Sequence, residues 1–308
     1  MYDIVVIGGG PAGMTAALYA ARNGRSALIL EKHGFGGQIT YSPKVENYPG
    51  TMQMSGNEFA DRFLDQILAQ GVEVELERAT SVEREGDHFA VVTEDGGRFA
   101  GRAVILATGV KHRMLGLPGE AELVGTGVSF CAVCDGDFYA GQTVAVAGGG
   151  NSALQEAILL SQKCREVIVV QDLPALTAEQ KLQDVLLARP NVRVLTGRRI
   201  TGILHEGETL RGITAADRES GREETVACDG LFVAIGLIPE NEAFASLARL
   251  DERGYFDAGE DCATGTPGVF VAGDCRRKAV RQLTTAVADG ASAAIAAGRY
   301  LDGLGAAK

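Results

Sequence analysis

The chain has 308 residues, 46% of them hydrophobic, and a formal charge of −11. That length predicts about two domains, and the hydrophobic fraction is enough to fill their cores. The negative charge disfavours non-specific nucleic-acid binding and anionic membrane surfaces, and no apolar run reaches the roughly 18 residues of a membrane span.

Met1 leads directly into the strand-like run Tyr2-Asp3-Ile4-Val5-Val6-Ile7. No signal peptide is therefore expected, and the cytoplasm is the default location. The strand runs into Gly8-Gly9-Gly10-Pro11-Ala12-Gly13. A helix from Pro11 to about Asn23, ended by Gly24, and a strand Ala27–Leu30 ending at Glu31 complete a β-turn-α-β unit. Its acid lies roughly 20 residues beyond the glycines. The glycines let backbone amides reach a pyrophosphate at the helix N-terminus, where the dipole favours negative charge. Glu31 is placed to accept from ribose hydroxyls.

Gly36-Gly37-Gln38 and Glu46-Asn47-Tyr48-Pro49-Gly50 follow as a turn-rich loop. A helix from about Ser55 to Gln70 carries Phe59, Phe63, Ile67 and Leu68 on one face, a stripe that belongs to a core. Strand-like runs come next at Val72–Leu76, Phe89–Val92 and Ala103–Leu106, the last ending in Ala107-Thr108-Gly109. Leu115-Gly116-Leu117-Pro118-Gly119 reads as a linker.

Beyond it lies Cys131-Ala132-Val133-Cys134-Asp135-Gly136. Two thiols at this spacing can close into a disulfide and be opened again by thiolate attack. Asp135 could shuttle the proton that exchange needs, if burial raises its pKa. CxxC spacing alone also fits a zinc half-site. The address of this pair, between two Gly-rich turns, reads as redox chemistry placed between two nucleotide cofactors.

The pattern then restarts with strand Thr143–Ala147, Gly148-x-Gly150-x-x-Ala153, a helix from Ala153 to about Gln162, and strand Val167–Val170. A helix Ala178–Ala188 and strands near Val192–Leu195, Ile200–His205 and Leu210–Ala215 complete a second nucleotide-binding domain. Leu231–Gly236 mirrors the earlier Ile105–Gly109, and Val269–Val271 ends in Gly273-Asp274-Cys275, whose carboxylate can face a cofactor's hydroxyls. An Ala-rich helix from Gln282 to Tyr300 suits close packing on the first domain. The fold class is α/β: two Rossmann-like domains, the second inserted into the first, with 1–113 and 241–308 flanking 114–240.

Of six cysteines, only Cys131 and Cys134 have CxxC spacing; Cys164, Cys228, Cys262 and Cys275 read as buried, inert thiols. His33, His88, His112 and His205 show no ligand spacing, so no metal is expected.

These motifs, in this order, resemble low-molecular-weight thioredoxin reductase over essentially the whole chain. The resemblance rests on Gly8–Gly13, Gly36-Gly37-Gln38, Glu46–Gly50, Ala107–Gly109, Cys131–Gly136, Gly148–Ala153 and Val269–Cys275 with Arg281-Gln282. It implies an FAD domain split around a pyridine-nucleotide domain, a homodimer, and electron flow from NADPH through FAD and the disulfide to thioredoxin. It also implies that the inserted domain rotates, so that nicotinamide and disulfide take turns at the flavin. Carried over residue by residue, Cys134 would lie against the flavin, Cys131 would attack the partner's disulfide, and Asp135 would be the acid–base. FAD would be held by Gly8, Gly10, Pro11, Ala12, Gly13, Glu31, Lys32, Gly36, Gly37, Gln38, Asn47, Thr108, Gly109, Asp274, Arg281, Gln282 and Leu283. The pyridine nucleotide would take Gly148, Gly150, Asn151, Ser152, Ala153, Asp172 and Gly236.

The chain departs from that pattern at two places. The family's His-Arg-Arg run, with a further Arg beyond it, clamps the 2′-phosphate of NADPH; here the aligned residues are Gln171-Asp172-Leu173 and Thr177. With those cations replaced and an acid present, Asp172 is expected to bond a free 2′-hydroxyl, so NADH is expected over NADPH. The alternative is a chain that has abandoned pyridine nucleotides and takes electrons from reduced ferredoxin or free flavin. Second, the family has two aromatics after Cys-Asp-Gly that help dock thioredoxin, and here the first is Asp137, which suggests a more basic or different thioredoxin-like partner. Two other readings compete: a dithiol oxidase of the same fold, and a flavin-binding redox switch.

Overall fold

The computed structural model describes residues 1–42 and 44–306. The chain divides into two compact units, Met1–Lys111 with Ile238–Lys308, and His112–Leu237. The boundaries expected at 113/114 and 240/241 fall at 111/112 and 237/238.

In the first unit a seven-stranded sheet is built on Tyr2–Ile7 and Arg98–Leu106. Tyr2–Ile7 pairs in parallel with both Ala27–Leu30 and Arg98–Leu106. Its Ile4, Val5 and Val6 have no exposed surface, as befits a parallel strand covered on both faces. Helices Pro11–Arg22 and Leu283–Ala306 pack on one face with Gly56–Leu68. Gly290 makes the contact between the first and last helices possible: a Cβ there would stand 2.2 Å from the Ala12 carbonyl oxygen.

The second unit holds a five-stranded parallel sheet in the order Val192–Thr196, Glu166–Gln171, Thr143–Ala147, Gly230–Val233, Val128–Ser129. Helix Asn151–Leu160 covers one face, and the antiparallel strands Arg198–Glu206, Thr209–Asp217 and Glu223–Ala227 cover the other. Thr143–Ala147 and Gly230–Val233 are buried along their whole length, between those two layers.

Three expectations need correction. Leu68 is 45% exposed, because the apolar stripe of its helix ends at Ile67. The 115–119 stretch is not a free linker. Glu120, only 1% exposed, accepts from the N–H groups of Leu115, Gly116 and Leu117 at 2.8, 2.7 and 3.3 Å and ties the turn down. Strands Ala79–Glu85 and Glu223–Ala227 were not foreseen, since each buries a single apolar residue, Val82 or Val226.

Candidate active site

The two Gly-rich turns share one backbone plan. Gly8 N–H donates to Leu30 O at 2.8 Å, and Gly148 N–H donates to Val170 O at 2.9 Å. Gly8 and Gly148 both take positive φ, 111° and 124°, and a Cβ on either would collide with a carbonyl of the neighbouring strand end. A returning loop then closes over each turn. Gly36 N–H donates to Gly9 O at 2.8 Å, and Thr177 N–H donates to Gly149 O at 2.9 Å.

Side chains separate the two. Glu31 Oε2 accepts from Gly9 N–H at 2.7 Å and its Oε1 from His33 N–H at 2.9 Å, so its carboxylate stands at the turn. By the strand pairing, the residue equivalent to Glu31 is Gln171, which is 6% exposed and lies against Gly149. Asp172 is one residue farther on. It does not stand alone: Arg199 Nε lies 3.4 Å and Arg218 Nη1 2.7 Å from its carboxylate. The aligned cations are absent, yet two arginines from elsewhere in the chain reach this region, one from strand Arg198–Glu206 and one from the turn after strand Thr209–Asp217. Asn151 exchanges hydrogen bonds with Glu179 at 3.0 and 2.8 Å, Ser152 is exposed, and Ala153 is buried against Gly148. A Cβ on Gly150 would stand 3.7 Å from Thr177 Oγ1, an ordinary contact distance, and Gly236 takes a φ of 114°.

The first unit brings most of its candidate cofactor residues together. A Cβ on Gly273 would stand 2.8 Å from Ala12 Cβ, so the Gly-Asp strand end abuts the start of the first helix. Asp274 Oδ1 is buried without a hydrogen-bond partner, Lys278 standing 3.9 Å away, and burial raises its pKa. Arg281 donates to Asp274 O at 3.2 Å and lies over the Tyr255 ring. Asn47 donates to Gln282 Oε1 at 3.3 Å, next to Leu283 at the start of the last helix. Gly36 and Gly37 both have positive φ, Gln38 donates to Val110 O, and Lys32 pairs with Glu240. Thr108, before the positive-φ Gly109, donates to Asn241 at 2.7 Å, and Asn241 is fully buried. An orphaned buried carboxyl oxygen, and an open Gly10 beside the Gly turn, fit the hydroxyls and pyrophosphate of FAD.

In the second unit Cys131 and Cys134 form a disulfide with Cα atoms 5.3 Å apart, on the short helix Ala132–Asp135. Cys134 N–H donates to Cys131 Sγ at 3.1 Å. Ser129 fixes the acid beside them: its hydroxyl donates to Asp135 Oδ2 at 2.6 Å and accepts from Cys131 N–H at 3.1 Å. Asp135 Oδ1 is buried and unpartnered, and burial raises the pKa against the opposing pull of Ser129. A carboxyl in that state can hold a proton and release it to a thiolate. Asp137 is exposed and paired with Lys163, while Tyr139 turns inward onto Phe232. Val133 and Phe138 are the exposed apolar side chains beside the pair, 58% and 36%. The remaining cysteines are buried, and burial pushes Cys164 up to about 11 and Cys228 and Cys262 up to about 12.

Residues that sequence reasoning did not find are buried polar supports. Asp289 accepts from Arg276 at 2.8 Å and from Gly273 N–H at 3.0 Å, anchoring the strand end that carries Asp274. No local motif marks it, because its partners lie 13 and 16 residues away.

The family model for pyridine nucleotide-disulphide oxidoreductases matches residues 2–290. A thioredoxin reductase of Listeria innocua is 38% identical over 304 residues, covering 99% of this chain and 95% of that protein. One of Bacillus subtilis is 36% identical, covering 99% and 96%. The crystal structure of thioredoxin reductase from Streptococcus pyogenes superposes with a TM-score of 0.93 at 38% identity, covering 98% of this chain and 99% of that one. The chain belongs to the pyridine nucleotide-disulphide oxidoreductase family, on its low-molecular-weight thioredoxin reductase branch.

Proposed function

We propose that the chain passes electrons through FAD and the Cys131–Cys134 pair to thioredoxin or a thioredoxin-like protein, and that NADH serves it better than NADPH. The observation that carries the first part is the redox pair with its buried, unpartnered Asp135 oxygen. When bound, FAD supplies the two electrons that open the pair. Cys131 then attacks the partner's disulfide, Asp135 protonates the departing thiolate, and Cys134 attacks Cys131 to release the partner. Exposed Val133 and Phe138 offer the apolar contact for docking, and Asp137 beside them favours a basic rim on the partner.

The second part rests on the side chains at the second turn. Gln171 and Thr177 carry no charge to offer a 2′-phosphate, and the two arginines that reach this region are already engaged by Asp172, while the turn itself keeps its open Gly150 and its helix N-terminus.

A different donor has an observation of its own. Gln171, not an acid, stands where Glu31 stands in the first turn, and Asp172 spends its carboxylate on Arg199 and Arg218. Without a free acid at the ribose, electrons would arrive from reduced ferredoxin or free flavin.

Anaerobic mixing of the holoprotein with NADH, NADPH and reduced ferredoxin, followed by flavin bleaching, decides among these. Fast bleaching by NADH and slow bleaching by NADPH is the expected result. Bleaching by ferredoxin alone transfers the proposal to the second donor, and a preference for NADPH sinks both.

A further inference from the structure

Glu156 lies on helix Asn151–Leu160, against which the short helix of the redox pair packs. Its Oε2 and Asp135 Oδ1 are both buried, and among the described residues neither has a hydrogen-bond partner. A lone buried carboxyl oxygen is costly and calls for an explanation; two of them, electrostatically coupled beside a disulfide, call for a shared one. Burial, then the charge of Asp135, raises Glu156 to about 8.

Among the described residues, the groups around this pair offer no cation to offset it. From the short helix and the turn after it come the disulfide, Tyr139, raised to about 12 by burial and by Asp135, and Asp137, exposed and held by Lys163. Ser129 donates to Asp135, and Cys228, which also acts on Tyr139, is raised to about 12 by burial. Strand Thr143–Ala147 carries no charge, and Glu166 on the next strand pairs with Arg193 at 3.7 Å. Lys181 and Asp184 of helix Gln180–Leu187 are exposed. Two carboxyls that interact in a dry site titrate as a pair, and the pair keeps one proton well above the usual carboxylate range.

We propose that Glu156 is a positioning residue for the dithiol exchange: with Asp135 it holds one retained proton, and it reloads Asp135 as the acid. This rests on Asp135 being the acid–base of the proposed function. The exchange balances as follows. Cys131 thiolate bonds to one partner sulfur, the partner's S–S bond breaks, and the departing thiolate takes the Asp135 proton. Asp135 then takes the Cys134 thiol proton as Cys134 attacks Cys131 Sγ. The mixed disulfide breaks, and the second partner thiolate takes that proton. Two electrons and two protons have reached the partner, the cysteine pair is oxidised, and both carboxyls are left ionised until one solvent proton, taken up through Glu156, restores the pair.

The test is the pH profile of kcat/KM for a protein disulfide of the thioredoxin type, measured on holoenzyme carrying Glu156→Gln or Asp135→Asn. Glutamine keeps the shape of Glu156 but holds no titratable proton, so the pair loses the carboxyl that keeps a proton as the pH rises. The alkaline limb is expected to move to lower pH by about one unit, a roughly tenfold loss at a pH on that limb. A profile that superposes on the parent, or falls equally at all pH, overturns the proposal. Asp135→Asn separates the two failures: full turnover in that variant overturns the acid–base role itself, whatever Glu156 does. Should Glu156→Gln not fold, infrared difference titration of the parent holoprotein reads the pair directly. One carboxyl keeping its proton past about pH 7 supports the proposal, and two carboxylates there overturn it.

Discussion

The first and second Gly-rich turns are one backbone used twice. Both begin with a left-handed glycine whose N–H closes on the neighbouring strand, and both are roofed by a returning loop that donates to the second glycine. They differ where a ligand would be told apart. The first presents Glu31 at the turn; the second presents Gln171, with Asp172 turned to two arginines. They differ again at the last position of the motif, Gly13 against Ala153. The lesson is that glycine spacing sets a shared backbone frame, and the side chain beyond the second strand is where the two frames part.

The largest effect should come from imposing the second turn's last position on the first. A Cβ on Gly13 would stand 1.9 Å from Gly8 O, with no flexible side chain to move aside. Gly13→Ala is expected to cost about 1–3 kcal/mol in stability, in the range of overpacked cores. It should also empty the protein of flavin as purified. Ala153→Gly, the reverse change in the second turn, should leave flavin content alone. Thermal unfolding followed by flavin release measures both, and equal loss in the two variants would break the comparison.

Next in size is the acid itself. Glu31→Gln makes the first turn resemble the second and removes a charged acceptor from Gly9 and His33 N–H. Charge-assisted hydrogen bonds of this kind carry roughly 1.5–3 kcal/mol, so FAD affinity is expected to fall roughly tenfold to a hundredfold. Titration of the apoprotein with FAD checks it; unchanged affinity would mean that Glu31 serves the loop alone.

The converse change sharpens the question of the donor. Gln171→Glu gives the second turn the acid of the first. If NADH is the donor, bleaching at low NADH should quicken by about tenfold, the value of one good hydrogen bond to a ribose hydroxyl. If electrons come from ferredoxin or free flavin, the rate with either should not change.

The frame was legible because it is local. A strand, three glycines, a helix and an acid 22 residues beyond Gly9 are written consecutively, and each element formed within two residues of its expected bounds. The redox pair and Asp135 were legible for the same reason. What escaped depends on chain pairing at long range. Arg199 and Arg218 meet Asp172 only through the antiparallel register that sets Arg198 opposite Asp217. Glu156 meets Asp135 only because two helices pack, and Glu120 is buried only because its own turn closes around it. Buried polar groups of this kind carry no pattern that a hydrophobic period can reveal. Leu68 is the opposite error, an apolar residue granted to a stripe that had already rotated to solvent.

The smallest effect tests whether the two arginines matter to the second turn. Asp172 and Arg218 are each close to half exposed, 45% and 44%. An exposed pair of this kind is worth about 0.2–1 kcal/mol and weakens with salt. Arg218→Ala should therefore leave unfolding almost unchanged. Its consequence lies in the charge it uncovers. With only Arg199 left at 3.4 Å, Asp172 is freer to accept from a ribose hydroxyl and more repulsive to a 2′-phosphate. The ratio of NADH to NADPH bleaching rates should rise by a few-fold at low salt and return toward the parent value at high salt. A ratio that falls instead would make Arg218 a phosphate ligand, and the two turns would then differ in the opposite sense from the one drawn here.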